Sequence, residues 1–311
     1  MTINSNNKGR ALEFIITKSL MDLLNNKDIK LRLSERTTNS NLRDEFYFKA
    51  LNKLEQTSLE NGARSFLQWV ENNKWISDAK EVYLDRLPDS SGVSGDPTDL
   101  RLSIKGKSNV VELKNISIKH NHNALKHQRL PRLPDQCGVI NANLKKEFNN
   151  NMKNVWTEFL KKSNKINPKF TKFNELKKVK IDFIDNNLYY PLIRLVIDFL
   201  DKHANNSQNA STFFSFLTGN FNFYTIKDEK EFILIKHFID IPSPKRFKIK
   251  YPYRSINTFL LKFDNGWELT FRLHTASSAF IKNNKLNAST KFDVLCINLD
   301  NVIKIDKIIK N

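Results

Sequence analysis

The sequence predicts an α+β protein with helices first and strands later. Three observations carry this expectation. Helical spacing of apolar residues dominates the first 75 positions, two-residue alternation dominates from about residue 231, and the strong turn Asp264-Asn265-Gly266 lies in that second region. With 311 residues the chain can bury about 75% of its unfolded surface, in one large core or two smaller ones. Eight glycines and nine prolines leave little material for long flexible linkers.

Taken in order, Leu12, Ile16, Leu20 and Leu24 recur at helical spacing, which predicts a helix over 8–25. Two more helical patterns cover 41–61 and, after Gly62, 63–75. "EVYLDRL" (81–87) reads as a strand, and "PDSSGVSGDP" (88–97) as a loop by composition. "TDLRLSI" and "NVVELKNI" flank "KGKS", so a hairpin turning at Gly106 is expected over 98–116. "NALKHQRL" (123–130) suggests a short helix closed by the following prolines, and 144–178 is lysine-rich and helical in places. "YYPLIRLVIDFLDKH" (189–203) is a good helix with Pro191 near its first turn. Further on, 231–241 reads as a strand. Around the Asp264-Asn265-Gly266 turn, Trp267, Leu269, Phe271 and Leu273 alternate with polar residues, and a last strand follows from Lys291. The expected division is 1–180 and 181–311, with a soft boundary.

Charge narrows the function. Lys and Arg number 51 against 33 Asp and Glu, a formal +18, and such an excess favours a polyanionic partner. Two distant cysteines, Cys137 and Cys296, argue against a disulfide framework or a cysteine zinc site. The first residues lack the apolar run of a signal peptide, and no stretch of 18 apolar residues occurs. A cytoplasmic protein without a membrane segment is therefore expected.

Glu112 and Lys114 are the residues that ask for an explanation. Asp/Glu-x-Lys recurs by chance in so charged a chain, yet only this copy lies in an apolar strand whose hairpin partner begins with an acid, Asp99. Residues i and i+2 share a strand face, and the hairpin is expected to bring Asp99 beside Glu112 and Lys114. Two carboxylates about 4 Å apart repel by roughly 4 kcal/mol at an effective dielectric of 20, so a divalent cation between them is expected. Oxygen ligands with room for water suit Mg²⁺, and Lys114 would orient or deprotonate a water beside it. The plain alternative is a surface salt bridge on a hairpin.

The segment after this strand, 113–134, contains no acid but carries Lys114, Lys119, Lys126, Arg129 and Arg132 with His120, His122 and His127. The contiguous "HNH" there is not the dispersed triad of the nucleases so named, and no Cys or carboxylate nearby completes a zinc set. Contacts to flanking phosphates are the better reading, with a solvated basic helix as the alternative.

The stretch "GDPTDLRL…VVELKNISIKHNHNALKHQRL" resembles the active-site region of restriction endonucleases of the PD-(D/E)xK superfamily, specifically the HaeIII-like type II enzymes. "KGRALEF" is similar to their opening helix, and "DNGWELTFRLHTASS…KFDV" to their C-terminal hairpin and strand. The resemblance implies a mixed sheet flanked by helices with a β-rich C-terminal part. It implies Asp99 and Glu112 as metal-binding carboxylates, Lys114 as catalytic lysine and Glu13 as an acid facing the site. It further implies Mg²⁺-dependent cutting of double-stranded DNA at a short palindrome, GGCC for the family's namesake, in a restriction-modification setting. His122, Lys126, His127 and Arg129 are candidate DNA contacts. So are Lys245, Arg246, Lys248 and Arg254 in the acid-free stretch 241–263, and Arg272 and His274 on the C-terminal hairpin. Cutting both strands of a palindrome favours a two-fold homodimer, with a monomer nicking twice as the alternative. A non-catalytic DNA-binding regulator and a structure-selective repair or junction-resolving nuclease remain rival readings.

Overall fold

The computed structural model describes residues 5–88, 95–120, 124–219, 221–275, 279 and 290–310. Helices and strands build two compact units, and neither is a continuous stretch of chain. The first takes 1–122, 219–241 and 303–311; the second takes 123–218 and 242–302. A single cut at 180/181 is therefore not how the chain divides. Strands late in the sequence return to a sheet begun near the N-terminus, and that pairing overrides sequence order.

In the first unit, α1 (Ser5–Asn26), α2 (Glu35–Lys49) and α3 (Lys53–Asn72) accompany a seven-stranded mixed sheet. Its order is β1 (Lys30–Leu33), β2 (Ala79–Arg86), β3 (Leu100–Gly106), β4 (Val111–His120), β6 (Phe223–Asp228), β7 (Phe232–Phe238) and β12 (Ile305–Ile309). β1 runs parallel to β2 and β4 parallel to β6, while the other neighbours are antiparallel. One core joins Leu12, Ile16 and Leu20 of α1 to Phe66 and Val70 of α3 and to Val82, Leu100, Leu102, Ile116 and Ile235 of the sheet. Each such side chain, fully buried, contributes about 1.5–3 kcal/mol.

The helices break where capping chemistry dictates rather than at Gly62. α2 ends at Lys49, and Asn52 opens α3 through a reciprocal capping box with Glu55. Gly62 instead lies inside α3. A Cβ there would overlap Asp228 Oδ1, so the missing side chain lets that buried carboxylate approach the helix.

In the second unit, β5 (Lys126–Gln128), β11 (Thr290–Cys296), β10 (Glu268–Thr275), β9 (Thr258–Phe263) and β8 (Phe247–Lys250) form an antiparallel sheet in that order. Helices α4 (Leu133–Gln136), α5 (Ala142–Ile166), α6 (Phe173–Val179), α7 (Tyr190–His203) and α8 (Ser207–Thr218) belong to the same unit. The Asp264-Asn265-Gly266 turn joins β9 to β10, with Gly266 at φ 90°, where glycine is favoured. Trp267, Leu269, Phe271 and Leu273 are all buried, and Phe213 and Phe214 of α8 pack on Phe271 and Trp267. The short helix expected over 123–130 is absent from the described part of that segment. Lys126–Gln128 pair as a strand with β11, and Pro131 and Pro134 fall in short turns of helix beyond it. Edge pairing wins there because the eight residues 123–130 before Pro131 are too few to hold a helix on their own.

Candidate active site

The register of the β3–β4 hairpin decides which residues meet. Leu100 faces Ile116, Leu102 faces Lys114 and Ile104 faces Glu112. Asp99 therefore stands at the opposite end of the hairpin from Glu112, five residues along, or about 17 Å at strand rise. The expected cluster of Asp99, Glu112 and Lys114 does not form. The idea that the first strand begins beside the end of the second is sound. The error lies in where the second strand ends, since β4 runs on to His120.

Glu112 and Lys114 form their own ion pair. The Lys114 ammonium also lies 5.2 Å from the Trp75 ring centroid, and its side chain is only 14% exposed. Burial raises the Tyr224 phenol above its ordinary range, and the Glu112 charge adds to the rise. Lys114 is thus committed to an aromatic wall and one carboxylate, the arrangement of a structural pair.

At the other end the contacts converge. Asp99 Oδ2 accepts hydrogen bonds from the Ile118 amide at 2.6 Å and the Ser117 hydroxyl at 3.3 Å, and Lys119 Nζ lies 3.6 Å away. Ser117 and Lys119 have the same two-residue spacing that drew attention to Glu112 and Lys114, with a hydroxyl in place of the acid. The missing acid has a counterpart on α1. Glu13 is 15% exposed, and burial pushes its carboxyl above the usual range, with the negative charge of Asp99 as the next cause. That coupling brings the two carboxylates into one electrostatic neighbourhood.

A buried arginine holds Glu13 in place. Arg86 ends β2 with 3% of its side chain exposed, and one terminal nitrogen donates to Glu13 Oε2 at 2.6 Å and to Asp44 Oδ2 at 2.7 Å. Its other terminal nitrogen donates to Asn41 Oδ1 at 3.1 Å, while Arg10 reaches Glu13 at 3.2 Å. A guanidinium out of water is tolerated only with such full pairing, and its planar fork sets the posture of the acid it holds.

Among the described residues no three His, Cys, Asp or Glu side chains gather as a metal cage. Asp99, with the Ser117 hydroxyl beside it and the Glu13 carboxylate within its electrostatic reach, fits a hard cation that keeps several of its waters, the habit of Mg²⁺. Glu112, expected as a metal ligand, is remote from this group by the register.

Of the remaining sequence candidates, His122 lies outside the described residues. Lys126 and His127 are on β5, and Arg129 follows it with a 3.5 Å bond from its guanidinium to the Thr290 carbonyl. Lys126 and Arg129 therefore do not share a helix face. Lys245 and Arg246 donate their amides to Asp264 Oδ1, Lys248 is on β8, and Arg254 places its guanidinium 5.1 Å from the Tyr253 ring. Arg272 and His274 both reach Asp293, at 3.2 and 2.9 Å. Sequence reasoning missed Ser117, Arg86, Asp44 and Asp293, and took Lys119 only as one cation of a basic segment facing flanking phosphates. For Lys119 a signal existed: Ile116 and Ile118 alternate with Ser117 and Lys119, so a strand pattern runs on past Lys114 with its apolar positions moved to the other face.

Comparisons with known proteins bear on the same stretch of chain. The Type II restriction enzyme HaeIII of Haemophilus aegyptius is 27% identical, over 96% of this chain and 95% of that protein. The family model described as HaeIII restriction endonuclease matches residues 9–239, which span Glu13, Arg86, Asp99, Ser117 and Lys119. A match over most of the chain places it plainly: the chain belongs to the HaeIII restriction endonuclease family.

Proposed function

We propose that the chain is a Mg²⁺-dependent type II restriction endonuclease of the PD-(D/E)xK kind, hydrolysing phosphodiester bonds of double-stranded DNA at a short palindrome. GGCC is the first site to test. Family membership supports the nuclease reading. The observation that carries the chemistry is the convergence of Asp99, Ser117 and Lys119, with the Glu13 carboxyl raised first by burial and then by the Asp99 charge.

Asp99 and Glu13 are the residues that would hold Mg²⁺, and Ser117 lies beside Asp99. When bound, the ion supplies Lewis-acid polarisation of a phosphate oxygen. The chain's own residues do the rest. The Ile118 amide and Ser117 hydroxyl fix the rotamer of Asp99, so its free oxygen keeps one direction. The Lys119 ammonium orients the attacking water and offsets negative charge that grows at the phosphate. Arg86 steadies Glu13. Surface lysines and arginines, from an excess of 51 over 33 acids, hold the duplex by its phosphates. No helix among the described residues is long and apolar enough to cross a membrane, and we place the enzyme in the cytoplasm, acting on a palindrome as a two-fold homodimer.

Cleavage of unmethylated phage-length DNA tests this directly, with EDTA, Lys119→Ala and Lys114→Ala alongside and every product end sequenced. Discrete ends at one palindrome, lost with EDTA and in Lys119→Ala but kept in Lys114→Ala, are expected. Gel retardation with no product would favour a DNA-binding regulator, and ends at branched or damaged sites a repair nuclease.

A further inference from the structure

Two basic stretches far apart in sequence lie side by side in the second unit's sheet. His127 of β5 faces Asp293 of β11, and Asp293 faces Arg272 of β10, while His274 faces Lys291. On this face, among the described residues, Asp293 stands among cations, while Glu268 further along β10 is paired with Lys262. Asp293 Oδ2 is 2.9 Å from His274 Nε2 and 3.2 Å from the Arg272 guanidinium, and its other oxygen is 3.9 Å from Lys291 Nζ. The acid is 15% exposed, whereas Arg272 is 59% exposed and offers a single terminal nitrogen to that bond.

The opposite face of the same strands is rigid. Phe271, Leu273, Phe292 and Val294 are fully buried, and the Phe259 and Phe271 rings stack at 4.8 Å, only 6° from parallel. A side chain on such a floor loses little further freedom when it meets a ligand. For a surface that only gripped phosphates, Asp293 would be a handicap, because its charge repels the backbone it faces. For a surface that reads bases it has a use. It holds the Arg272 fork at a set angle with donors left over, and a fixed arginine fork matches guanine O6 and N7 in the major groove, which admits a two-stranded β-ribbon.

We infer that the β10–β11 face reads a guanine edge of duplex DNA through Arg272, with Asp293 as the residue that positions Arg272 and His274. This rests on the nuclease reading above and deepens it from chemistry to sequence choice. Asp293 is a positioning residue and touches no base itself.

The test selects bound duplexes from a randomised library with full-length protein in Ca²⁺, and then measures affinity for the preferred and a scrambled duplex. Wild type, Arg272→Ala, Arg272→Lys, Asp293→Asn and Asp293→Ala are compared, with a thermal melt for each. Loss of Asp293 is expected to cut the preferred-to-scrambled ratio on the order of 10–100-fold, the worth of one bidentate base contact. Binding to the scrambled duplex should stay equal or strengthen, because a negative charge has left the face, and that retained binding certifies the fold. Arg272→Lys should behave as Arg272→Ala in the ratio. 7-Deazaguanine at the read position should penalise wild type and leave Arg272→Ala unmoved. An unchanged ratio in the Asp293 and Arg272 variants, with wild type still selecting a site and cutting it in Mg²⁺, overturns this inference alone. A wild type that neither selects nor cuts overturns the nuclease reading with it.

Discussion

Each end of the β3–β4 hairpin presents a lysine beside an acid, and the two ends treat them differently. At the Glu112 end the lysine is satisfied by one exposed carboxylate and an indole face, and that carboxylate's charge reaches the Tyr224 phenol. At the Asp99 end a backbone amide, a hydroxyl and a lysine all address one carboxylate, and a second carboxylate on α1 feels its charge. A sequence motif names residue types, but strand register decides which of them share a point in space. The polar contacts converge at the Asp99 end rather than at the intact-looking motif.

The sharpest way to break that contrast is to remove the lysine at each end. Lys119→Ala should lower cleavage by about 10²–10⁴-fold, the range for loss of a positioned catalytic group. Lys114→Ala should stay within roughly threefold, since a partly exposed ion pair is worth about 0–1 kcal/mol. Equal losses in single-turnover assays would erase the distinction between the two ends. Next in size, Arg86→Lys keeps the buried charge but loses the fork that joins Glu13 to Asp44. A weakening of roughly 10–100-fold in the Mg²⁺ concentration needed for half-maximal cutting is expected, as for other partners of metal-binding side chains. Unaltered Mg²⁺ dependence in a well-folded Arg86→Lys would remove Glu13 from the site.

Smaller effects concern the frame around the contrast. Gly62→Ala gains helix propensity but drives a methyl into Asp228, a buried side chain held by Lys310 at 2.8 Å. Urea denaturation should show a net loss of about 1–3 kcal/mol, the usual result of overpacking. The smallest effect is one of pH. Burial acts upward on the Asp306 carboxyl, but hydrogen bonds from Trp69 and His237 outweigh it and hold the group below its ordinary 3.8. The unfolded chain then binds more protons just under that value, so the stabilisation is complete above it and lost as pH falls. The difference in Tm between wild type and Asp306→Asn should accordingly narrow between about pH 5 and pH 3. A gap that persists across that range would refer the effect to shape rather than charge.

The sequence was most legible where pattern and turn chemistry agreed. The β9–β10 hairpin was readable because Gly266 and four alternating apolar residues point to one register. The opening helix was readable because its apolar stripe is long. Asp99 was recognisable as the acid that opens β3, and Glu13 as an acid on the first helix. Its partner on β4 was not legible, because Ser117 lacks the carboxylate that a motif search requires. The second carboxylate of the proposed site, Glu13, lies far upstream of Asp99 on α1. Edge strands β1 and β5 were hidden for another reason: four and three residues carry too little periodicity to announce a strand. Tertiary pairing, not local preference, makes them strands.

The three-piece make-up of the first unit has a consequence for synthesis. Its sheet takes strands from the early chain, then from 223–238, and last from β12, whose Asp306 receives the Trp69 indole N–H at 2.8 Å. Domains tend to form as soon as their residues emerge from the ribosome. This one has to wait for residue 309, so a chain interrupted anywhere earlier leaves β7 as an open edge and Trp69 without its acceptor. Among the described strands, the one that covers the β7 edge is thus the last of its sheet to be synthesised.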